Sequence, residues 1–149
     1  DLNRGFKVFG NINNDKIALI SHGRMLHKCL EIYKNKLNTF VCVDILRSKP
    51  FPKDLPKEIS SCKGIVVVDE QSPSGNLSSC VFEGFSEQSY FPKIISKSLP
   101  ESYVFENGGR ELAPVSANQR CQVALELLAE AGKVRIPQQV GAMFVVLTV

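Results

Sequence analysis

Along the chain, apolar residues follow two patterns. Three short stretches are nearly unbroken: Lys16-Ile17-Ala18-Leu19-Ile20, Thr39-Phe40-Val41-Cys42-Val43-Asp44 and Ile65-Val66-Val67-Val68. Alternation of apolar and polar residues marks a strand with one wet face; an unbroken run marks a strand covered on both. The third run is wholly β-branched, and it leads into Asp69-Glu70 and the turn Gln71-Ser72-Pro73-Ser74-Gly75-Asn76. Between the runs, apolar residues recur at helical spacing. Leu26, Cys29, Leu30, Tyr33 and Leu37 share one helix face that ends at Asn38, and Leu77, Val81, Phe82 and Phe85 share another. Either Ser74 or Asn76 can cap this second helix. Gly84 lies inside it, where it weakens helix propensity but permits close packing.

Weaker signals complete the frame. Phe6-Lys7-Val8-Phe9 reads as a short edge strand, and Lys93-Ile94-Ile95-Ser96 as a fourth parallel strand nearer an edge. Pro50 and Pro52 make residues 47–53 an extended crossing loop. Asp54 can cap a short helix reaching about Ser61. After an irregular loop over residues 100–114, Ser116 or Asn118 opens a last helix with Cys121, Ala124, Leu125, Leu128 and Ala131 inward and Gly132 as its stop. Strands that alternate with helices call for right-handed crossovers and a three-layer α/β/α sandwich. The chain divides into a lead-in segment (1–15), an α/β domain (16–132) and an apolar tail (133–149).

Its 149 residues suffice for one domain with a full core. An apolar content of 44% argues against disorder. The net charge of +3 is uneven: residues 1–64 carry twelve Lys/Arg and six Asp/Glu, and residues 65–149 carry six and nine. The lysines are scattered, with no basic run interleaved with aromatics, so nucleic-acid binding is not expected. The longest apolar run, residues 142–147, is too short to span a bilayer, and no signal-peptide pattern opens the chain. The start at Asp1 rather than Met leaves open a cut from a longer protein. The five cysteines are an odd count without metal-motif spacing; Cys29 and Cys121 on helix faces and Cys42 in a strand read as small buried hydrophobes, a usage suited to a reducing cytosol.

Candidate chemistry is sparse. His22, Gly23 and Arg24 stand where a helix amino terminus can hold an anion; the plainer alternative is a glycine turn with solvated neighbours. Ser74, Gly75 and Asn76 can likewise cradle a phosphate with their amides, or simply start a capped helix; the phosphate-loop Lys and the dinucleotide glycine spacing are missing. Asp69 and Glu70, adjacent at a strand end, point to opposite faces and read as helix-terminus and interface partners rather than an acid–base pair. His22 and His27 lack the spacing that stacks side chains on a helix, so no metal site is expected. No nucleophile elbow or Cys–His pair is recognisable, and no catalytic residue is assigned.

Taken together, several stretches resemble the carboxy-terminal domain of transketolase-like, thiamine-diphosphate-dependent enzymes. They are Ile17-Ala18-Leu19-Ile20-Ser21-His22-Gly23-Arg24-Met25, Val43-Asp44-Ile45-Leu46-Arg47-Ser48-Lys49-Pro50-Phe51, the strand from Ile65 to Glu70, and Ser74-Gly75-Asn76-Leu77. The likeness spans roughly residues 16–131. It departs at His22, where a small residue or Thr is more usual, and at Asn76, where a second Gly is common. The group includes transketolases, deoxyxylulose-phosphate synthases and 2-oxo acid dehydrogenase β subunits. The resemblance implies a mixed five-strand sheet with one antiparallel strand at residues 6–9. It also implies a packing and dimerisation role. Thiamine diphosphate and Mg²⁺ would then be held by other domains or a separate subunit, not by this chain. A freestanding small-ligand or regulatory domain, binding an anion at the Gly23 and Gly75 loops, is the alternative. The tail, residues 133–149, lies beyond the match and is expected to pair with a sheet edge or partner.

Overall fold

The computed structural model describes residues 2–72, 74–89 and 91–98. The expected last helix, the loop before it and the apolar tail lie outside these residues. Eight elements follow one another: β1 (Phe6–Phe9), β2 (Ile17–Ser21), α1 (Gly23–Asn35), β3 (Phe40–Ile45), α2 (Leu55–Glu58), β4 (Gly64–Val68), α3 (Leu77–Ser86) and β5 (Ile94–Lys97). The five strands form one mixed sheet in the order β1-β3-β2-β4-β5. β2, β3, β4 and β5 are mutually parallel, and β1 runs antiparallel to β3, with Phe6 opposite Ile45 and Phe9 opposite Cys42.

The unbroken runs are the central strands because both their faces are covered. Ala18, Ile20, Val41, Val43, Ile65 and Val67 pack with Leu55 and Ile59 around α2 and with Leu77, Val81 and Phe85 of α3. The alternate residues Leu19, Cys42, Val66 and Val68 pack on the other face with Met25 and Cys29 of α1. Period-two alternation therefore separates two cores rather than a core from solvent.

The structure differs from the sequence reading at element ends. α1 stops at Asn35, not Asn38: the Lys36 amide donates to the Ile32 and Tyr33 carbonyls, and Thr39 and Phe40 donate back to Lys36. Leu37 therefore lies past the helix and is 51% exposed, while Met25 takes a buried place on the inner face. α2 is one turn long, and Asp54, although at its amino-cap position, makes no side-chain cap bond. β2 and β3 each run one residue further than their apolar stretches. At Ser21 the extension is explained by its hydroxyl, which donates 2.8 Å to the Val68 carbonyl of the neighbouring strand. No helix among the described residues is long and apolar enough to cross a membrane.

Candidate functional site

The strand order sets where a site can form. After β2 the chain turns through α1 to β3 on one side; after β4 it turns through α3 to β5 on the other. α1 and α3 cover opposite faces, so the loops leaving β2 and β4 diverge. Such a switch point opens a crevice at the carboxyl ends of the strands.

His22 and Asp69 meet there. His22 holds the amino-cap position of α1 but makes no side-chain cap bond. Its ring crosses to β4 instead, with Nε2 3.3 Å from Asp69 Oδ1. Asp69 is only 3% exposed, and its other oxygen accepts from the Leu77 amide at 2.9 Å. The carboxylate thus joins the end of β4 to the first turn of α3 and holds the loop between them closed. Asn76 caps the same helix, its Oδ1 accepting from the Ser79 amide at 3.3 Å. Two amides of the first turn are therefore occupied by side chains of this chain. Asp44, at the end of β3, belongs to the same edge: burial lifts its carboxyl above the usual range, and His22, Lys7 and His27 pull it back.

A half-open cleft with a volume of about 60 Å³ lies beside this pair. His22 borders it from the β2 loop, and Ser48 and Lys49 from the loop after β3. Gln71, Gly75 and Asn76 border it from the loop after β4, with Leu77 and Cys80 of α3 completing the wall. The structure thus gathers His22, Gly75 and Asn76 in one place. Gly23, Arg24 and Ser74 are exposed and do not line the cleft, and Asp69 lies behind its wall. Glu70 is exposed and does not line the cleft. Ser48, Lys49, Gln71 and Cys80 were not singled out as site residues from sequence; the Lys-Pro stretch after β3 was the signal that pointed towards Lys49.

The arrangement can bind and orient. No nucleophile is paired with a base in it. Among the described residues no group of three His, Cys, Asp or Glu could hold a metal ion.

Fold and crevice define a doubly wound α/β domain of mixed sheet. No protein-family model matches the sequence, and no curated protein matches it. Among solved structures, this chain is similar to one described as "Split gene transketolase, inactive beta4 tetramer", with a TM-score of 0.64 and 20% identity over 83% of this chain. The chain spans 42% of that chain's length. The fold is therefore transketolase-like.

Proposed function

We propose that this chain is an assembly domain of the transketolase type, equivalent to the carboxy-terminal domain, and not catalytic by itself. The observation that carries the reading is the superposition on part of a split-gene transketolase chain, together with the mixed sheet order. The parent activity would act on a sugar phosphate or a 2-oxo acid, with thiamine diphosphate and Mg²⁺ held by cofactor-binding domains of the same enzyme or of a separate subunit. The domain's part is packing against those domains and against a second copy of itself. The solved neighbour is described as a tetramer, which supports self-association as the mode. The reading includes a cytoplasmic setting, which the buried free thiols Cys29, Cys42, Cys62 and Cys80 support.

Sedimentation equilibrium on the full chain tests the assembly role. The expected result is a dimer built on a two-fold contact. A clean monomer at high micromolar concentration would count against it.

A further inference from the structure

The end of the sheet away from the crevice collects lysines that the sequence scatters. β2, β3, β4 and β5 are parallel, so the residues that precede them share the amino edge of the sheet. Backbone bonds tie those residues into one row. The Phe40 amide donates 3.1 Å to the Lys36 carbonyl, and the Ile17 amide 2.9 Å to the Thr39 carbonyl. The Lys63 amide donates 2.8 Å to the Lys16 carbonyl, and the Ile65 amide 2.9 Å to the Lys93 carbonyl. Lys36, Lys16, Lys63 and Lys93 therefore follow one another in the order of the strands they precede, β3, β2, β4 and β5. With strands about 4.8 Å apart, the row spans about 14 Å. Lys36, Lys63 and Lys93 are exposed and Lys16 is half-buried. None of them makes an ion pair among the described residues. Asp15 and Glu87, which precede Lys16 and Lys93, are exposed and pair with neither; Glu58 is taken by Arg4 and Glu31 by Lys28.

The fold accounts for one of these lysines. Lys36 ends α1, where a positive charge suits the negative end of the helix dipole. Lys16, Lys63 and Lys93 belong to no helix. Like charges on adjacent strands repel, so the row costs stability in the chain by itself. A negative surface brought from outside offsets that repulsion. Two apolar side chains stand at the ends of the row. Leu37, next to Lys36, is 51% exposed, and Phe91, two residues before Lys93, is 43% exposed. The Phe91 ring is stacked on Phe82, with centroids 6.1 Å apart, and meets Phe85 edge-on at 6.4 Å. A ring already pinned by its own domain can be covered by a partner with little loss of side-chain freedom.

We propose, resting on the assembly reading, that the amino edge of the sheet is the docking surface for an acidic amphipathic helix of a partner polypeptide. Lys16, Lys63 and Lys93 meet its carboxylates, and Leu37 and Phe91 meet its apolar residues. Carboxylates three or four positions apart on a helix lie about 5–6 Å from one another, close to the strand interval. An extended strand sets carboxylates on one face about 6.7 Å apart, a poorer match. A single-stranded nucleic acid fits less well, because it stacks bases on open aromatic faces and Phe91 is already stacked by Phe82.

The probe is a synthetic helical peptide with Glu at every third or fourth position and Leu beside them, labelled for fluorescence anisotropy and titrated with the full chain. The same peptide with Lys in place of Glu, a single-stranded oligonucleotide, and vesicles of phosphatidylserine and phosphatidylcholine in equal parts are run in parallel. The expected result is saturable binding of the acidic peptide that weakens with added salt, and none of the basic one. Lys63→Glu combined with Lys93→Glu should weaken binding roughly tenfold, because each contact turns from attraction to repulsion. The same reversal at the carboxyl edge, Arg24→Glu with Lys49→Glu, should leave binding unchanged. Leu37→Ser should weaken it at high salt as well as at low. All the substituted side chains are exposed, and a cooperative melting curve checks that each variant folds. The proposal is overturned if the acidic peptide does not bind, if the carboxyl-edge variant loses as much as the amino-edge one, or if the oligonucleotide or the vesicles bind more tightly. A monomer that binds the peptide would sink self-association alone; a dimer that ignores it would keep the assembly role and remove this surface.

Discussion

Gly84 is the residue whose small size the packing uses most directly. It lies in α3 where Phe51, from the loop after β3, crosses the helix, and a Cβ added there would come 2.5 Å from Phe51 Cε1. Phe51 is partly buried and packed against the core, so its ring would have to shift within that packing. In an open helix, Gly→Ala gains about 1 kcal/mol. Here overpacking, about 1–3 kcal/mol, opposes that gain and wins. Gly84→Ala is therefore expected to lower stability by on the order of 1 kcal/mol, read as a lower urea midpoint at unchanged slope. A variant more stable than the parent would show that Phe51 moves aside.

At the scale of elements, the connection from α2 to β4 places Cys62 in the core. Burial pushes its thiol from 9.0 up to about 11, with Lys16 pulling it back slightly; Cys42 is raised for the same reason. Unfolded, these thiols ionise near their ordinary value. Between that value and the folded one, the unfolded chain has released a proton that the folded chain still holds. Stability is then full below pH 9.0 and falls as pH rises towards about 11. Urea denaturation across that window should show the decline, and Cys62→Ala should flatten part of it; an identical slope in both proteins would remove the thiol from the account. The same elements show what a reader of the sequence can see. β2, β3 and β4 were legible because burial on both faces leaves an unbroken apolar run, and α3 because Asn76 precedes its apolar stripe. The end of α1 was not, since Leu37 fits the helical spacing and only the bonds at Lys36 take it out of the helix. The cleft was legible in half: Gly75 and Asn76 announce a turn and a cap, but Ser48 and Lys49 reach them through the sheet order, which local pattern does not encode.

For the whole molecule, the division of labour proposed above has a direct consequence. Thiamine diphosphate needs a metal for its diphosphate and a protein environment that makes its ring reactive. The sequence has no Gly-Asp-Gly ligand motif; its one Gly-Gly, Gly108-Gly109, is followed by Arg110. Calorimetry of the full chain with thiamine diphosphate and Mg²⁺ should show no binding at millimolar ligand, and saturable micromolar binding would sink the assembly-domain reading. The sheet order carries a further consequence, for the route to this structure. β2 is the first parallel strand to emerge from a ribosome and the middle one in space, with β3 on one side and β4 on the other. Its second edge stays open until residue 68 is made, because the partner that closes it comes after the whole α2 crossover. A nascent chain of that length holds an unpaired, mostly apolar strand edge, the kind of surface to which other chains add. Arrival of Ile65 to Val68 is thus the event that turns a sticky intermediate into a closed sheet, and the four β-branched residues there, which favour strand conformation before any partner is met, shorten the interval of exposure.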